Sequence, residues 1–319
     1  MDILRPRLFT GEWDCEKLRL FFQPSIQYAG DTLWQFGKGL RGSYLDFFEY
    51  NEYMPLSYLW FDEEGFLGAV SNICGKSGLL RHQCHPNFRN PQVSEMIIVH
   101  DQTVLAAVNS DVKPLTLLYD RSVGLEHILV KRGYERSRLR GVELELDLRK
   151  SSLSRFPIEG IIFTALDSAD PVQIAAREEV QTQAFSDSDP WTKVWQHRNI
   201  ARSLAFVDCA GVIEIVGTDI DGRMVTFASI ILDEPNSIGE IRPLGTVRDH
   251  PLRDLLTAGI TIEAIHVLRE AGYDLAVAKM DFHDSGDLAQ GVSEAEEAIS
   301  RAGMLGFTAT ARLYEYKKL

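Results

Sequence analysis

The stretch GEIRPLGTVRDHPLRDLL, from Gly239 to Leu256, predicts a strand that runs through a tight turn into a helix. The first turn of a helix presents unpaired backbone N–H groups and the positive end of the helix dipole, which together suit a diphosphate. The turn has no glycine after Gly245, and the acidic Asp254 stands where those N–H groups would face an anion. The stretch therefore raises the question of whether this junction binds a phosphate.

The residues on either side extend this stretch into a larger unit. Pro251 fits the first helical turn, where its missing N–H costs nothing. The residues LLTAGITIEAIHVLREAG suffice for roughly five helical turns, and Gly272 supplies a stop before the strand YDLAVAKM. Upstream, IEIVGTDIDGRMVTFASIIL predicts a hairpin that turns at Gly222.

The first half of the chain repeats this design. LSYLWFDEEGFLGAVSNI predicts a hairpin that turns at Gly65, and RHQCHPNFRNPQVSEMIIVHD matches the stretch around His250. Three pairs of landmarks keep near-constant separations along the chain: Gly65 with Gly222, His85 with His250, and Gly133 with Gly306. We therefore predict a duplicated domain, with residues 1-150 and 151-319 as its copies and RKSSLSRFPIEG as the linker between them.

The order of elements predicts the fold class. Each copy reads as one or two helices and a hairpin, followed by alternating strands and helices. Such alternation after an antiparallel start predicts an α/β (mixed α+β) fold. Each domain should contain a mixed, partly antiparallel sheet with helices on both faces.

The composition limits the class of protein and its partners. The chain has 319 residues, of which 45% are hydrophobic and 25% are charged, as in globular proteins. No N-terminal segment resembles a signal peptide, and no run approaches the about 18 apolar residues of a membrane span, so we expect a cytoplasmic protein that does not bind membranes. The net charge of −13 argues against a nucleic-acid partner. It favours a cationic substrate such as an amine, although an acidic surface kept for solubility explains it equally well.

The stretch GEIRPLGTVRDHPLRDLLTAGITIEAIHVLREAGYD resembles the acyl-CoA-binding segment of the GNAT-family N-acyltransferases. More narrowly, it is similar to the tandem-domain GNAT proteins, whose second domain carries G-E-x-x-P-V-G-T-h-P-x-h-R-G-x-G-L. The likeness extends over both halves, through GDTLWQF and LWFDEEGFLGAV in the first and FPIEGIIFTALD in the second. It implies a tandem GNAT-family N-acetyltransferase with acetyl-CoA as co-substrate. The N-terminal domain would be a degenerate copy and the C-terminal domain the acyltransferase.

The resemblance also implies where the coenzyme binds. In that family one strand splays from its neighbour, the pantetheine arm pairs with the freed backbone, and the diphosphate rests on an R-x-x-G-x-G/A loop. The loop maps to Pro251 to Leu256, where Leu252 and Asp254 replace the glycines, so that Arg248 or Arg253 would have to pair with the phosphate. In the first half, NPQ occupies the glycine region. The cofactor-binding residues implied are Leu244, Gly245, Thr246, Arg248, Leu252, Arg253, Asp254, Leu255 and Leu256.

Acyl transfer to an amine needs a base for the ammonium proton and a donor for the thioester oxygen. Glu240, on the predicted strand upstream of the splay, is the candidate base and would act through water. The alternative for Glu240 is a strand carboxylate paired with a neighbouring cation. The family's tyrosine acid falls on Ala302, so Tyr314 and Tyr316 on the last strand are candidate substitutes. Alternating aromatic residues on a strand also serve packing.

The segment SDSDPWTKVW falls in the region that forms the acceptor side of a GNAT cleft. Asp187 and Asp189 are candidates to hold a cationic amine, and Trp191 is a candidate to stack on it. The alternative is an aspartate N-cap before a Pro-Trp helix start.

Two clusters resemble metal sites but lack a full set of ligands. RHQCHP brings His82, Cys84 and His85 together without a second pair at a zinc-finger spacing. DFHDSGD superficially matches a calcium loop, but its twelfth position is Val292 rather than glutamate. We therefore predict no metal.

The sequence thus predicts an N-acyltransferase that moves an acetyl or similar short acyl group from acyl-CoA to an amine by direct attack in a ternary complex. The alternative is a catalytically silent GNAT-fold binding or scaffold protein, which the glycine-poor loops and the missing tyrosine favour. A decarboxylase acting on an acyl thioester is a third hypothesis. The sequence does not identify the amine, and it leaves open whether the chain forms a homodimer.

Overall fold

A computed structural model of the chain describes residues 4–10, 12–22, 55–88, 90–155, 157–185, 211–281 and 288–319. The chain forms two compact units. The first unit comprises Met1–Glu143, Met280–Glu297 and Ala309–Leu319, and the second comprises Leu144–Lys279 and Ala298–Thr308.

The first unit contains an antiparallel sheet of strand order β1-β2-β3-β4. Its elements are β1 (Arg5–Leu8), α1 (Glu12–Phe22), β2 (Pro55–Phe61), β3 (Leu67–Cys74), β4 (Leu80–Cys84) and α2 (Pro91–Val108). Every residue of β3 is buried, and α2 contributes Val93 and Ile97 to the core against Trp60. The β2–β3 hairpin turns at Gly65 as predicted, since glycine readily adopts its φ of 83°.

The rest of the first unit is built around the last strand of the chain. The strand order is β5-β12-β6, and β12 pairs antiparallel with β5. The elements are β5 (Leu115–Tyr119), α3 (Val123–Lys131), β6 (Tyr134–Asp147), α6 (Leu288–Met304) and β12 (Thr308–Lys318). Residues 144–147 of β6 and 298–304 of α6 belong to the second unit. The C-terminal strand therefore completes the first unit.

The second unit contains a sheet of strand order β11-β10-β9-β8-β7. Neighbouring strands are antiparallel except β10 and β11, which are parallel. Its elements are β7 (Ile161–Ala165), α4 (Pro171–Ala184), β8 (Val212–Asp219), β9 (Met224–Asp233), β10 (Ile238–Thr246), α5 (Arg253–Glu270) and β11 (Leu275–Asp281).

Two apolar clusters hold the helices of the second unit on opposite faces of its sheet. On one face Val180 of α4 packs against Phe227, and on the other Leu256 of α5 packs with Val225 and Ile158. The predicted mixed, partly antiparallel sheet with helices on both faces is thereby confirmed. No helix among the described residues is long and apolar enough to cross a membrane.

The compact units cut across the predicted halves of the chain, because Ala309–Leu319 lies in the first unit. The duplication of residues 1-150 and 151-319 stays a prediction about the sequence. The predicted linker is hydrogen-bonded to α5, because Arg155 donates to Glu263 at 2.8 Å and to Glu270 at 2.7 Å. The segment that joins the halves is thus part of the second unit.

Candidate functional site

The parallel pairing of β10 with β11 covers only the first part of β10. Their parallel register joins Ile238–Ile241 to Leu275–Ala278. β10 continues to Thr246, and over Leu244–Thr246 the structure gives it a register only with β9. Pro243, which has no N–H to donate, stands just beyond the register with β11. The described pairing of β10 with β11 therefore ends before Leu244. The splay over Leu244–Thr246 that the resemblance implied stays a prediction, because residues 282–287, which follow β11, lie outside the described part of the chain.

A β-bulge lies at the same point. Ile241 stands opposite Ile230 of β9 and Leu244 opposite Ala228, so β10 has one residue more than β9 across this step. Because side chains alternate along a strand, the extra residue reverses the face that each later side chain takes.

Gly245 and Thr246 show this reversal. A Cβ on Gly245 would lie 2.9 Å from the Cβ of Ala184, so Gly245 faces α4 and glycine permits that helix to pack closely. The Thr246 hydroxyl faces the other way and lies 2.9 Å from the hydroxyl of Thr257 on α5. The strand is thus anchored to one helix by close packing and to the other by a hydrogen bond.

The backbone N–H groups of Leu244 and Thr246 point away from β9. Val247 N–H donates to the Val225 carbonyl, and hydrogen-bonded and non-bonded pairs alternate in an antiparallel ladder. Gly245 therefore directs its N–H to β9, whereas its two neighbours direct theirs to the opposite side of β10. Two strand donors thus point away from β9, beyond the point where the described pairing with β11 ends.

His250 closes the turn between β10 and α5. Its carbonyl accepts from Arg253 N–H at 3.0 Å, and its Nδ1 accepts from Leu252 N–H at 3.2 Å. These bonds tie the backbone of Leu252 and Arg253 to His250. The first residue of α5 is therefore Arg253. The expectation that Pro251 lies in the first helical turn is therefore wrong.

The first turn of α5 leaves donors for a ligand. Its N-cap, Leu252, makes no side-chain bond to the helix, and the first intrahelical bond runs from Leu256 N–H to the Leu252 carbonyl. The N–H groups of Asp254 and Leu255 consequently have no acceptor within the helix. Both residues are exposed, so an anion can approach them.

The predicted phosphate-binding side chains surround this helix start, with one exception. Arg248 and Arg253 are exposed, and the acidic Asp254 in the first turn interacts favourably with the helix dipole. Leu255 is 42% exposed. Leu256 is fully buried and its N–H is used inside the helix, so it offers the site neither a side chain nor a donor.

Glu240 lies near the end of the described pairing between β10 and β11. The preceding Gly239 faces Leu268 of α5, so Glu240 faces α4. Its neighbours across the sheet are Ile231 of β9 and Val277 of β11, and it is 4% exposed. The side chain is therefore shielded from bulk water, and its role as a base stays a prediction.

A buried ion pair beneath α4 was not predicted. Arg177 donates to Glu214 at 3.0 Å, to Gln181 at 2.8 Å and to Ser229 at 3.2 Å. Its guanidinium lies 3.2 Å from the centroid of the Phe227 ring. The side chains of the ion pair are 0% and 3% exposed. These contacts hold α4 on the face of the sheet that also carries Glu240.

The candidate acids Tyr314 and Tyr316 lie on β12 in the first unit. Tyr316 donates its hydroxyl to Glu126 at 2.7 Å and accepts from Arg136 at 3.0 Å. Burial and the bond to Glu126 raise the pKa of Tyr316 above its usual range. The Arg136 guanidinium lies 4.3 Å from the Tyr314 ring centroid. These contacts are structural, and they do not support the predicted catalytic part of either tyrosine.

The candidate substrate residues Asp187, Asp189 and Trp191 lie outside the described part of the chain. Within the described part, no group of three or more His, Cys, Asp or Glu residues is placed to hold a metal ion. His82 is buried, and burial lowers its pKa to about 4 because it disfavours the charged imidazole.

The first unit has its own turn after β4. The His85 carbonyl accepts from Phe88 N–H at 2.9 Å, and its Nδ1 accepts from Asn87 N–H at 3.3 Å. A 3-10 turn comes next, and only then does α2 begin.

The N-terminus of α2 is capped by the chain itself. Asn90 accepts from Val93 N–H at 2.9 Å through its side chain, and Pro91 at the first helical position has no N–H to offer. α2 therefore has fewer donors left for an anion than α5 has.

α2 carries a carboxylate on its buried face. Asp101 accepts from the Ser71 hydroxyl at 3.0 Å and lies 3.0 Å from His100 Nδ1, and Ser71 accepts from Trp60 Nε1 at 3.1 Å. Burial raises the pKa of Asp101 to about 6, and its hydrogen bonds oppose the shift only in part.

Comparison with known proteins bears on the fold. No protein-family model and no curated protein sequence matches the chain. Among solved structures, a tandem GNAT protein from the clavulanic acid biosynthesis pathway is similar at a TM-score of 0.68 and 12% identity, covering 98% of both chains. A GCN5-related N-acetyltransferase from Sphaerobacter thermophilus is similar at a TM-score of 0.60 and 14% identity, covering 99% of this chain and 95% of the other.

A third similar structure is a GNAT-family acetyltransferase from Colwellia psychrerythraea. Its TM-score is 0.58 at 9% identity, and the match covers 99% of this chain and all of the other. At such identities a structural likeness establishes the fold. The chain therefore has the GNAT fold along its whole length, as the resemblance of its sequence implied.

Proposed function

We propose that the second unit is an N-acyltransferase, which moves a short acyl group from acyl-CoA to an amine by direct attack in a ternary complex. The observation that carries the proposal is that the described pairing of β10 with β11 ends just ahead of a helix start without a side-chain cap. The strand offers the N–H groups of Leu244 and Thr246, and the helix offers those of Asp254 and Leu255. An extended amide chain that ends in a diphosphate would match both sets of donors.

The residues at the site fit such a ligand. Its pantetheine arm would lie along Leu244–Thr246, and its diphosphate would lie at the first turn of α5. Arg248 or Arg253 would pair with the phosphate and offset the negative charge of Asp254. When bound, acyl-CoA supplies an activated acyl thioester.

The chain's own groups would perform the remaining tasks. The β10 donors would stabilise the negative charge that develops on the thioester oxygen. Glu240 would accept the ammonium proton through water. Since Ala302 stands where the family has a tyrosine, solvent would supply the proton that the leaving sulfur needs. Asp187, Asp189 and Trp191 stay the proposed amine-binding residues, and the cytoplasm stays the proposed location.

Glu240→Gln tests the proposed base. The variant should keep its fold and its affinity for coenzyme A, because glutamine fills the same volume. Its rate of thiol release with a panel of primary amines should fall about 10²- to 10⁴-fold. The loss should be largest at the low end of pH 6 to 9, where free amine is scarcest. Glu159→Gln, at an exposed position of the same unit, is the control, and equal rates for the two variants would refute the role.

The second candidate function is a GNAT-fold binding or scaffold protein. Asp254 at the helix start and Ala302 at the tyrosine position favour it, because both replace residues that the family uses. Calorimetry with coenzyme A, combined with the thiol-release assay, separates the two functions. Binding without turnover on any amine would indicate a ligand-binding protein. Absence of binding would refute the acyltransferase.

A further inference from the structure

A chain of three hydroxyl groups links the sheet of the second unit to α5. Thr226 of β9 lies 2.8 Å from Thr246 of β10, oxygen to oxygen, and Thr246 lies 2.9 Å from Thr257 of α5. Thr257 in turn donates to the carbonyl of Arg253 at 2.9 Å. Thr226 and Thr246 are 0% and 3% exposed, so water does not compete for these bonds.

The protons give the chain a direction. A hydroxyl group has one proton and two lone pairs. Because Thr257 gives its proton to the Arg253 carbonyl, it accepts the proton of Thr246. Thr226 also has a single proton, and both the Gly245 carbonyl, at 3.0 Å, and the Thr246 hydroxyl lie within its reach. The end of β10 is therefore bonded to the first residue of α5 through a single side chain, that of Thr257.

Each end of this link lies beside ligand donors. The N–H of Thr246 points away from β9, and Arg253 directly precedes the two free N–H groups of α5. A ligand that binds both sets needs them at one fixed separation, because misplacement of either set loses part of the binding energy. The hydroxyl chain fixes that separation.

We infer that Thr257 is a positioning residue, which holds the first turn of α5 in register with the end of β10 so that one ligand can bind both. The inference rests on the proposed function for the identity of that ligand, an acyl-CoA. The hydroxyl of Thr257 itself would not contact the ligand.

The chain supplies a matched control one turn further along α5. Thr261 also donates to the carbonyl four residues before it, that of Thr257, at 2.7 Å. The described contacts of Thr261 include no bond to β10. Thr257→Val and Thr261→Val therefore remove the same kind of helix bond, and only the first cuts the link to the strand.

Calorimetry with coenzyme A and with ADP tests the inference. Coenzyme A would span both sets of donors, whereas ADP would reach only the helix start. Thr257→Val should bind coenzyme A about five- to tenfold more weakly and bind ADP unchanged. Thr261→Val should match the wild type for both ligands, and Thr257→Ser should restore the affinity. Equal affinities in the two valine variants, or an equal loss for ADP, would overturn the inference.

Amide hydrogen exchange without ligand gives an independent answer. Thr257→Val should exchange several-fold faster than the wild type at residues 244–246 and 253–256, whereas Thr261→Val should not. If the wild type fails to bind coenzyme A, the proposed function fails and the exchange rates still decide the role of Thr257. Unchanged exchange in Thr257→Val would refute that role whatever the ligand.

Discussion

The two units share a His-Pro turn, but the helices that come after it begin differently. In each unit the histidine accepts one backbone N–H through its carbonyl and another through Nδ1. After His250, α5 begins at Arg253, with no side-chain cap on its first turn. After His85, a 3-10 turn intervenes and α2 starts with Asn90 as its cap. One turn thus leads to a helix start with free donors, and the other to a helix start that satisfies its own.

The difference shows that capping decides whether such a junction suits an anion. A side-chain oxygen that accepts from the first helical turn competes for the N–H groups that a phosphate would use. The glycine count of the two loops, which is low in both, does not reveal this distinction. The second unit is therefore the better candidate for ligand binding for a local chemical reason.

The units also differ in the surroundings of a buried carboxylate, which is Glu214 in the second unit and Asp101 in the first. In the second unit the Glu214 carboxylate is neutralised by Arg177. In the first, the Asp101 carboxylate is hydrogen-bonded to Ser71 and to His100 and has no arginine against it, as far as the described residues go. The stability of the second unit should therefore depend on its buried ion pair, and the stability of the first unit should depend on pH.

Arg177→Met should have the largest effect. It leaves the Glu214 carboxylate buried without its counter-charge, which should lower the free energy of unfolding by about 3–5 kcal/mol. Urea denaturation at pH 7 measures the change. Arg177→Met with Glu214→Gln should recover part of the loss, because no charge is then buried unpaired.

The control for this variant is Arg155→Met, which removes an exposed arginine from its ion pairs with Glu263 and Glu270. Exposed pairs are screened by water and contribute little. If Arg177→Met proved as mild as Arg155→Met, the contrast between the buried charges would be wrong.

Asp101→Asn should change how stability depends on pH in the first unit. The raised pKa of Asp101, about 6, makes the folded state hold a proton that the unfolded state releases. The associated stability, about 3 kcal/mol, is present below about pH 4 and lost as pH rises through 6. The lowered pKa of His82, about 4, acts in the opposite sense, since stability is lost as pH falls from 6.5 to 4.

In the wild type these two contributions nearly cancel between pH 4 and 6.5. Asp101→Asn leaves His82 unopposed, so its unfolding free energy should fall more steeply on acidification than that of the wild type. Urea denaturation at half-unit steps of pH measures both curves. Parallel curves for the two proteins would contradict the assigned pKa of Asp101.

Substitutions at the N-cap positions should have a smaller effect on the free energy of unfolding. Asn90→Ala should lower the free energy of unfolding by about 1 kcal/mol, because it removes the acceptor of Val93 N–H. Leu252→Ala, at the corresponding place in the second unit, should change it by less than about 0.5 kcal/mol, since it removes no cap. Thermal denaturation of the two variants measures both changes. Equal losses of stability would show that the two helix starts do not differ in capping.

Asp254→Asn should change ligand binding rather than stability. Removing a carboxylate near a bound diphosphate should strengthen coenzyme A binding by about 1 kcal/mol, roughly a fivefold lower Kd. Asp249→Asn removes a charge from the exposed turn and should matter less. Calorimetry at low and high salt checks the assignment, because the difference between the variants should shrink as salt screens it.

Much of the second unit could be predicted from local sequence. The strand, turn and helix of Gly239 to Leu256 and the hairpin at Gly222 follow from apolar alternation and glycine placement. The exact start of α5 did not follow, because the His250 side chain competes with the helix for backbone donors. The bulge in β10 could not be predicted either, because it is defined by the register between β10 and β9 and not by the sequence of β10 alone.

Other features depend on contacts between distant parts of the sequence. Tyr314 and Tyr316 are candidate acids only because Ala302 stands at the family's tyrosine position, and nothing local indicates that β12 pairs with β5 in the first unit. The Arg177–Glu214 pair did leave a signal. Arg177 stands on the buried face of α4 with Val180, and Glu214 interrupts the apolar strand VIEIVG. Two opposite charges at core positions predict a buried pair, although not which face holds it.

The position of β12 has a consequence for how the protein is made. Ser137 of β6 is hydrogen-bonded to Glu315 of β12, 178 residues later in the chain. N-terminal domains generally fold first during synthesis, but here the strand between β5 and β6 follows them only after the whole second unit's sheet has been made. Until β12 has been synthesised, β5 and β6 each have an unpaired edge where β12 will bind. Such edges are templates for aggregation, so a chain released before β12 is made would be prone to aggregate.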